Sequence, residues 1–206
     1  GGALFLLSTE PSLGGVPALC ALSGWGETSD AHHLSAPHPE GRGALEAMAK
    51  ALQRAEEKPG DVDLVLLHGT ATKQNDLAEA KALAKLFSGT QRQPFSASLK
   101  RAAGHQLAGA AAMNAAVAAL LLAGDAKSPL AIRAAENDAL DSEIEALGLR
   151  PVTETSDVPV LKTVLANAFA FGGNNVSLVL TRTRPPARGW TTDELLPQKP
   201  PMRFMT

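Results

Sequence analysis

The sequence predicts an α/β layered fold, and three observations carry that expectation. Short apolar runs of strand character alternate with segments whose apolar residues recur every three or four positions. One run, Asp63-Leu64-Val65-Leu66-Leu67-His68, is almost continuously apolar and ends in a glycine turn, as a strand covered on both faces does. The stretch from Leu107 to Ala123 is apolar on nearly every side, so it needs protein all round it. A single sheet with ordinary amphipathic helices has no use for such a helix, which implies a second layer of protein outside this chain.

Taken in order, residues 3 to 8 and 17 to 25 predict two strands separated by Pro11, Gly14 and Gly15. The polar stretch from Glu27 to Gly43 holds His32, His33 and His38 with Pro37, Pro39 and Gly41, and predicts a long ordered loop in which His38 faces solvent. Leu45, Met48, Leu52 and Ala55 then fall at helical spacing, with Pro59-Gly60 as the stop. After the 63–68 strand, Asn75 or Asp76 caps a helix whose apolar face is Leu77, Ala80, Leu83, Ala84 and Phe87. A strand at 94–99 leads through Lys100 and Gly104 into the Ala-rich helix of 105 to 123. A short helix is expected at 138–146, then strands at 160–169 and 175–181 joined by Phe171-Gly172-Gly173. The tail from Thr183 onward, rich in Pro, reads as an extended strap rather than a domain.

Composition closes several functional classes. Nineteen Lys and Arg against 21 Asp and Glu give no basic field for sequence-independent nucleic-acid binding. One cysteine makes no internal disulfide, no Cys/His spacing resembles a zinc site, and a reducing, cytoplasmic setting is the expectation. Leu107–Ala123 is mostly Ala and carries Asn114, which reads as a helix buried in protein rather than a membrane span. The start, Gly1-Gly2-Ala3, has neither Met nor a basic region before the apolar run, so the chain reads as one that begins mid-protein.

Three constellations have the residue types of a reaction site, each at a strand end or glycine turn. They are His68-Gly69-Thr70-Ala71-Thr72, with Asp76 and Glu79 downstream; Lys100 with Gly104-His105; and Asn167-Ala168-Phe169-Ala170-Phe171-Gly172-Gly173-Asn174-Asn175. Singly, a strand-end histidine is usually hydrogen-bonded structure and a Gly-Gly turn a plain hairpin. In this order and spacing they resemble the C-terminal half of the β-ketoacyl-[acyl-carrier-protein] synthases, condensing enzymes of the thiolase fold, over residues 1 to 182. Asp30, His33 and Ser35 in Ser29–Pro37 are similar to an active-site loop of that family.

The resemblance implies one half of a thiolase-like αβαβα sandwich, built on a mixed five-stranded sheet with the Ala-rich helix packed against the other half. It implies decarboxylating condensation of malonyl carrier protein with an acyl thioester, in fatty acid, polyketide or aryl-polyene-like synthesis. His68 and His105 match the two histidines that stabilise the enolate, and Lys100 the lysine that organises them. Neutral imidazoles in that role must keep the Nε2 proton, and an expected helix start at His105 holds down its pKa. Thr70 and Thr72 match residues that hold the phosphopantetheine arm, Phe171 a gate flanked by Gly172 and Gly173, and Asn167 and Phe169 lie in the same motif. No metal or separate cofactor is implied, since phosphopantetheine arrives on the acyl carrier protein, toward which Lys100-Arg101 offers positive charge. The family also implies a homodimer or a pair with a related subunit.

The family's nucleophilic cysteine lies in the N-terminal half, and Cys20, expected mid-strand, reads as a small buried hydrophobe. The chain alone is therefore expected to be inactive. Three departures from the family pattern stand out: Asn114 where a glutamate commonly pairs with the lysine, Arg101 after Lys100, and Ala170, which stiffens the gate if positive φ is needed. Two other readings stay open, a non-catalytic partner subunit of the chain-length-factor type and a purely structural or interaction domain.

Overall fold

The computed structural model describes residues 2–124, 141–152 and 160–183. The expected Pro-rich tail from 184 onward and the first residues of the expected 138–146 helix lie outside them. A small hairpin comes first, β1 (Ser12–Leu13) with β2 (Val16–Pro17). Then follow β3 (Ala21–Ser29), α1 (Arg42–Ala55), β4 (Leu64–Leu66), α2 (Lys73–Leu86) and β5 (Phe95–Ala97). Next come α3 (Lys100–Ala103), α4 (Gly109–Ala123), α5 (Ser142–Glu145), β6 (Arg150–Pro151), β7 (Thr163–Ala170) and β8 (Asn174–Thr181).

The mixed sheet runs β3-β8-β7-β4-β5-β6. The outer pairs β3–β8 and β8–β7 are antiparallel, while β7, β4, β5 and β6 run parallel. Its five main strands are the expected ones, extended by the two-residue edge strand β6. Side chains alternate across β4 and β7, which splits the core in two. Val65 and Leu165 meet Met48, Leu52, Leu83 and Phe87 of the α1–α2 side. Leu64, Leu66, Val164 and Ala166 meet Ala118 and Leu122 of α4. A polar clip closes the sheet's far end: Asp63 takes N–H donations from Lys162 and Thr163 and pairs with Arg92.

Several expectations are corrected. Residues 3–8 form no strand; Leu4 is 99% and Leu6 80% exposed, because an apolar run forms a strand only where a sheet edge receives it. The strand expected at 17–25 lies at Ala21–Ser29, and pairs with β8 beyond the point where its apolar signature ends. Cys20 therefore sits just before the strand, half-buried against the α4-side core. Neither Asn75 nor Asp76 caps α2; Thr72 holds the cap position without a side-chain bond, and Asp76 lies inside the first turn. The Ala-rich helix begins at Gly109, not His105, because a short helix, Lys100–Ala103, and the positive-φ Gly104 intervene. Only one face of α4 is buried, through Asn114, Ala115, Ala118, Ala119 and Leu122, whereas Ala111 and Leu120 are exposed. The all-round apolar character of that helix is thus matched by cover on one side among the described residues.

Candidate active site

The three parallel strands β4, β5 and β7 end at one edge of the sheet, and the three constellations leave from there. His68 is two residues past β4, Lys100 opens the turn of helix after β5, and Phe169 is the last but one residue of β7. This is the edge at which open α/β sheets gather side chains for chemistry.

His68 and His105 meet edge to face, with ring centroids 5.6 Å apart and planes at 82°. The His68 ring also lies 5.8 Å from that of Phe169. Lys100 Nζ donates to the His68 backbone carbonyl and approaches His68 Nδ1 at 3.4 Å. An ammonium has no lone pair to offer, so the imidazole nitrogen facing it must be the unprotonated one, which leaves the proton on Nε2. His105 reaches the same tautomer by another route. It lies ahead of α4 rather than at its start, and its Nδ1 accepts the Leu107 N–H at 3.1 Å.

The electrostatics disfavour the charged form of both rings. Burial, then Lys100, then His105 push the His68 pKa down to about 3. Partial burial and then Lys100 lower that of His105. Burial also lowers Lys100, against the attraction of Glu79 and Asp76. A histidine whose folded pKa is depressed gives stability that is full above its unfolded value and is lost as pH falls toward the folded value. Between about pH 6.5 and about 3, the protein is therefore expected to lose stability through His68. Chemical denaturation as a function of pH checks this: His68→Gln should lose less stability than the parent over that window, and parallel curves would sink the assignment.

Glu79 was noted in the sequence only as lying downstream of His68, yet it organises the site. It is 3% exposed, and its two carboxylate oxygens accept the N–H groups of His68 and Gly69, each at 2.9 Å, and Asn167 Nδ2 at 3.1 Å. Burial pushes its carboxyl up from the ordinary value, against those three donors that pull it down. The signal was present: Glu79 lies three and four residues before Ala82 and Leu83, inside the buried stripe of α2. Asn167 passes the network on, accepting from Ser177 Oγ at 2.9 Å. Asn114 donates to the carbonyls of Leu67 and Asn167 and makes no pair with Lys100.

Thr70 and Thr72 lie at the mouth of the site, their hydroxyls 2.8 Å apart, with the Thr70 N–H donated to Asp76. The Asp30 loop meets the Phe171 turn: Asp30 N–H donates to Gly173 O at 2.8 Å, and Gly172 N–H to Leu34 O at 2.7 Å. Asp30 is buried and accepts from Asn175 Nδ2 and from the backbone of His38, which is half-buried rather than facing solvent. Gly173 is fixed in identity twice over, by φ +73° and because a Cβ there would come 2.8 Å from the Cβ of Asp30. His33 and Ser35 are exposed, and His33 Nδ1 accepts the N–H groups of Ser35 and Ala36. Phe171 is 78% exposed at the rim. Ala170, expected to stiffen this turn, sits at φ −131°, ψ 162° and takes no strain. Lys100 is turned inward onto His68 and so is not part of an outer basic patch.

Burial pushes the Cys20 thiol up to about 11, away from the thiolate a nucleophile needs. Among the described residues no helix is long and apolar enough to cross a membrane, and no group of three His, Cys, Asp or Glu is placed to hold a metal ion.

The chain is similar to known proteins in sequence and in fold. Residues 19–131 of the 206 match the family described as "Beta-ketoacyl synthase, C-terminal domain". A mitochondrial 3-oxoacyl-[acyl-carrier-protein] synthase of Arabidopsis thaliana is 33% identical over 167 residues, 80% of this chain and 35% of the relative. A 3-oxoacyl-[acyl-carrier-protein] synthase 2 of Synechocystis is 32% identical over 182 residues, 88% of this chain and 42% of the relative. In a solved complex of a ketosynthase with its chain length factor from Xenorhabdus doucetiae, one chain superposes with a TM-score of 0.67 at 38% identity, covering 81% of this chain and 40% of that one. The chain thus spans less than half the length of the relatives it matches, and its sheet and helices are one half of their thiolase-like sandwich. By sequence match and by fold alike, this chain belongs to the beta-ketoacyl synthase family, in the C-terminal domain.

Proposed function

We propose that the chain supplies the enolate-stabilising half of a 3-oxoacyl-[acyl-carrier-protein] synthase, working with an N-terminal half that carries the nucleophilic cysteine. The observation that carries this is the His68–His105 pair: two neutral imidazoles in contact, each with its Nδ1 occupied so that an Nε2–H is left to donate. Such a pair suits a thioester oxygen that gains negative charge.

In this reading the malonyl thioester is delivered on phosphopantetheine by the acyl carrier protein, with Thr70 and Thr72 along the arm. The carboxylate leaves as carbon dioxide, and the electron pair of the broken C–C bond passes into the thioester enolate held by His68 and His105. The enolate carbon attacks the acyl thioester carbonyl on the cysteine of the other half; the new C–C bond forms and the thiolate departs. Lys100 holds His68 in its tautomer, and Phe171 with the Asp30 loop covers the entrance. Relatives named as 3-oxoacyl-[acyl-carrier-protein] synthases support the substrate class, and a dimeric assembly, with a copy of itself or a related subunit, accords with the ketosynthase and chain length factor complex.

The test is to assemble the chain with a cysteine-bearing N-terminal half and follow carbon dioxide release from malonyl carrier protein. Release that depends on both parts is the expected result. An assembly that forms and loads acyl groups but releases none would instead favour a non-catalytic partner subunit.

A further inference from the structure

The α4 segment Gly109–Ala123 carries one side chain able to donate a hydrogen bond, Asn114. It is 4% exposed and uses the donors of one amide on two strands at once: Nδ2 reaches Leu67 O at 3.2 Å and Asn167 O at 3.0 Å. The parallel ladder between β4 and β7 ends at the Leu66–Ala166 pair. The next carbonyls on the two strands, Leu67 and Asn167, are the ones Asn114 takes. Past the last ladder pair, the one amide bonds both strands.

Asn114 therefore joins three pieces of the site. Leu67 precedes His68, Asn167 gives its own amide to Glu79, and Glu79 holds the backbone of His68 and Gly69. The helix that carries Asn114 is entered through His105 and Leu107. Its far end is tied separately, by Arg182 to the carbonyls of Gly124 and Leu161. Between these ties the contacts of α4 with the sheet are made by Ala, Val and Leu, whose apolar packing is non-directional and includes no hydrogen bond. A glutamate at this position, acceptor-only when ionised, would face two carbonyls it could not satisfy.

We infer that Asn114 is a positioning residue of this site: by clamping α4 onto β4 and β7 where their ladder stops, it sets where His105 stands against His68. The inference rests on the function proposed above for the histidine pair. It explains why a position expected to serve Lys100 carries an amide that serves the backbone.

The test uses the assembled synthase with Asn114→Ala, which suits an Ala-rich helix, and Asn114→Asp, which keeps the shape but sets an oxygen against the two carbonyls. Carbon dioxide release is measured per cysteine that can be acyl-loaded, counted by mass spectrometry, so that lost folding is divided out. A loss on the order of 100-fold per loadable site is expected, the scale of a ~1 Å misplacement, with the loadable fraction near that of the parent. A crystal structure of the Ala variant is expected to show the His68 and His105 rings further apart than 5.6 Å. Release within about threefold of the parent, loss only in proportion to loadable sites, or an unchanged ring separation would each overturn the inference. A parent that releases no carbon dioxide overturns the proposed function instead, and the ring separation in the variant then decides the role of Asn114 alone.

Discussion

Replacing His68 by Ala in the assembled synthase is expected to slow carbon dioxide release from malonyl carrier protein by on the order of 10²–10³-fold, the usual cost of one oxyanion donor. The size follows from how the ring is held. Its backbone N–H is fixed on Glu79, its carbonyl on Lys100, and its ring packs near those of His105 and Phe169. Nothing has to reorganise when charge develops, which is where a preorganised donor outperforms water. His105→Ala should cost a comparable factor, and the double variant less than the product of the two, because both donors serve one oxygen. The pH profile of the parent adds a second check. With its pKa near 3, His68 stays neutral across the working range, so it should give no acid limb at the ordinary imidazole value of about 6.5. Steady-state release by the parent and both variants, with circular dichroism to confirm folding, measures this. His68→Ala turning over within about threefold of the parent would sink the assignment.

The parts of this site that were legible in the sequence are those carried by local pattern. The strand ending at His68 was readable because a strand covered on both faces needs an unbroken apolar run, and Leu64–Leu66 has one. The turn at Phe171–Gly173 was readable because its glycines take positive φ between two apolar strands. The contacts that hold the site were not legible, since they link residues far apart in the chain. Asn167 and Glu79 are separated by 88 positions, and Asp30 and Asn175 by 145. No periodicity encodes such a pair; only the topology that sets β3 beside β8, and β7 beside β4, brings them together. The start of α4 was misplaced for a different reason. An Ala-rich run marks a helix strongly but marks its first turn hardly at all, and α4 has no capping side chain. Asn114, read in the sequence as a lost partner for Lys100, donates instead to two backbone carbonyls, neighbours that only the fold supplies.

The strand most displaced from its expected place, β3, is also the one where a single methyl group should do the most damage. Gly26→Ala is expected to destabilise the protein by about 3 kcal/mol or more, the upper range for overpacking a tight contact. A Cβ at Gly26 would stand 1.9 Å from the carbonyl oxygen of Ala47 and 2.9 Å from the nitrogen of Ala51, both backbone atoms of α1 that cannot rotate away. Gly24, on the same inward face, meets Ala51 and Ala55 in the same way. The α1 helix thus lies on β3 through glycine against alanine, and these same glycines erase the β-branched signature by which a strand is usually recognised. To admit the methyl, α1 would have to lift, drawing Met48 and Leu52 from the core and moving Gly43, whose Cα side faces Asp30. Asp30 is the residue on which the loop and the Phe171 turn converge, so the damage should reach the entrance of the site as well as the stability. Chemical denaturation of Gly26→Ala beside Gly60→Ala separates close approach from glycine content, since a Cβ at Gly60 meets nothing within 4 Å. Equal midpoints for the two variants would refute the packing argument; a large loss confined to Gly26→Ala is the expected result.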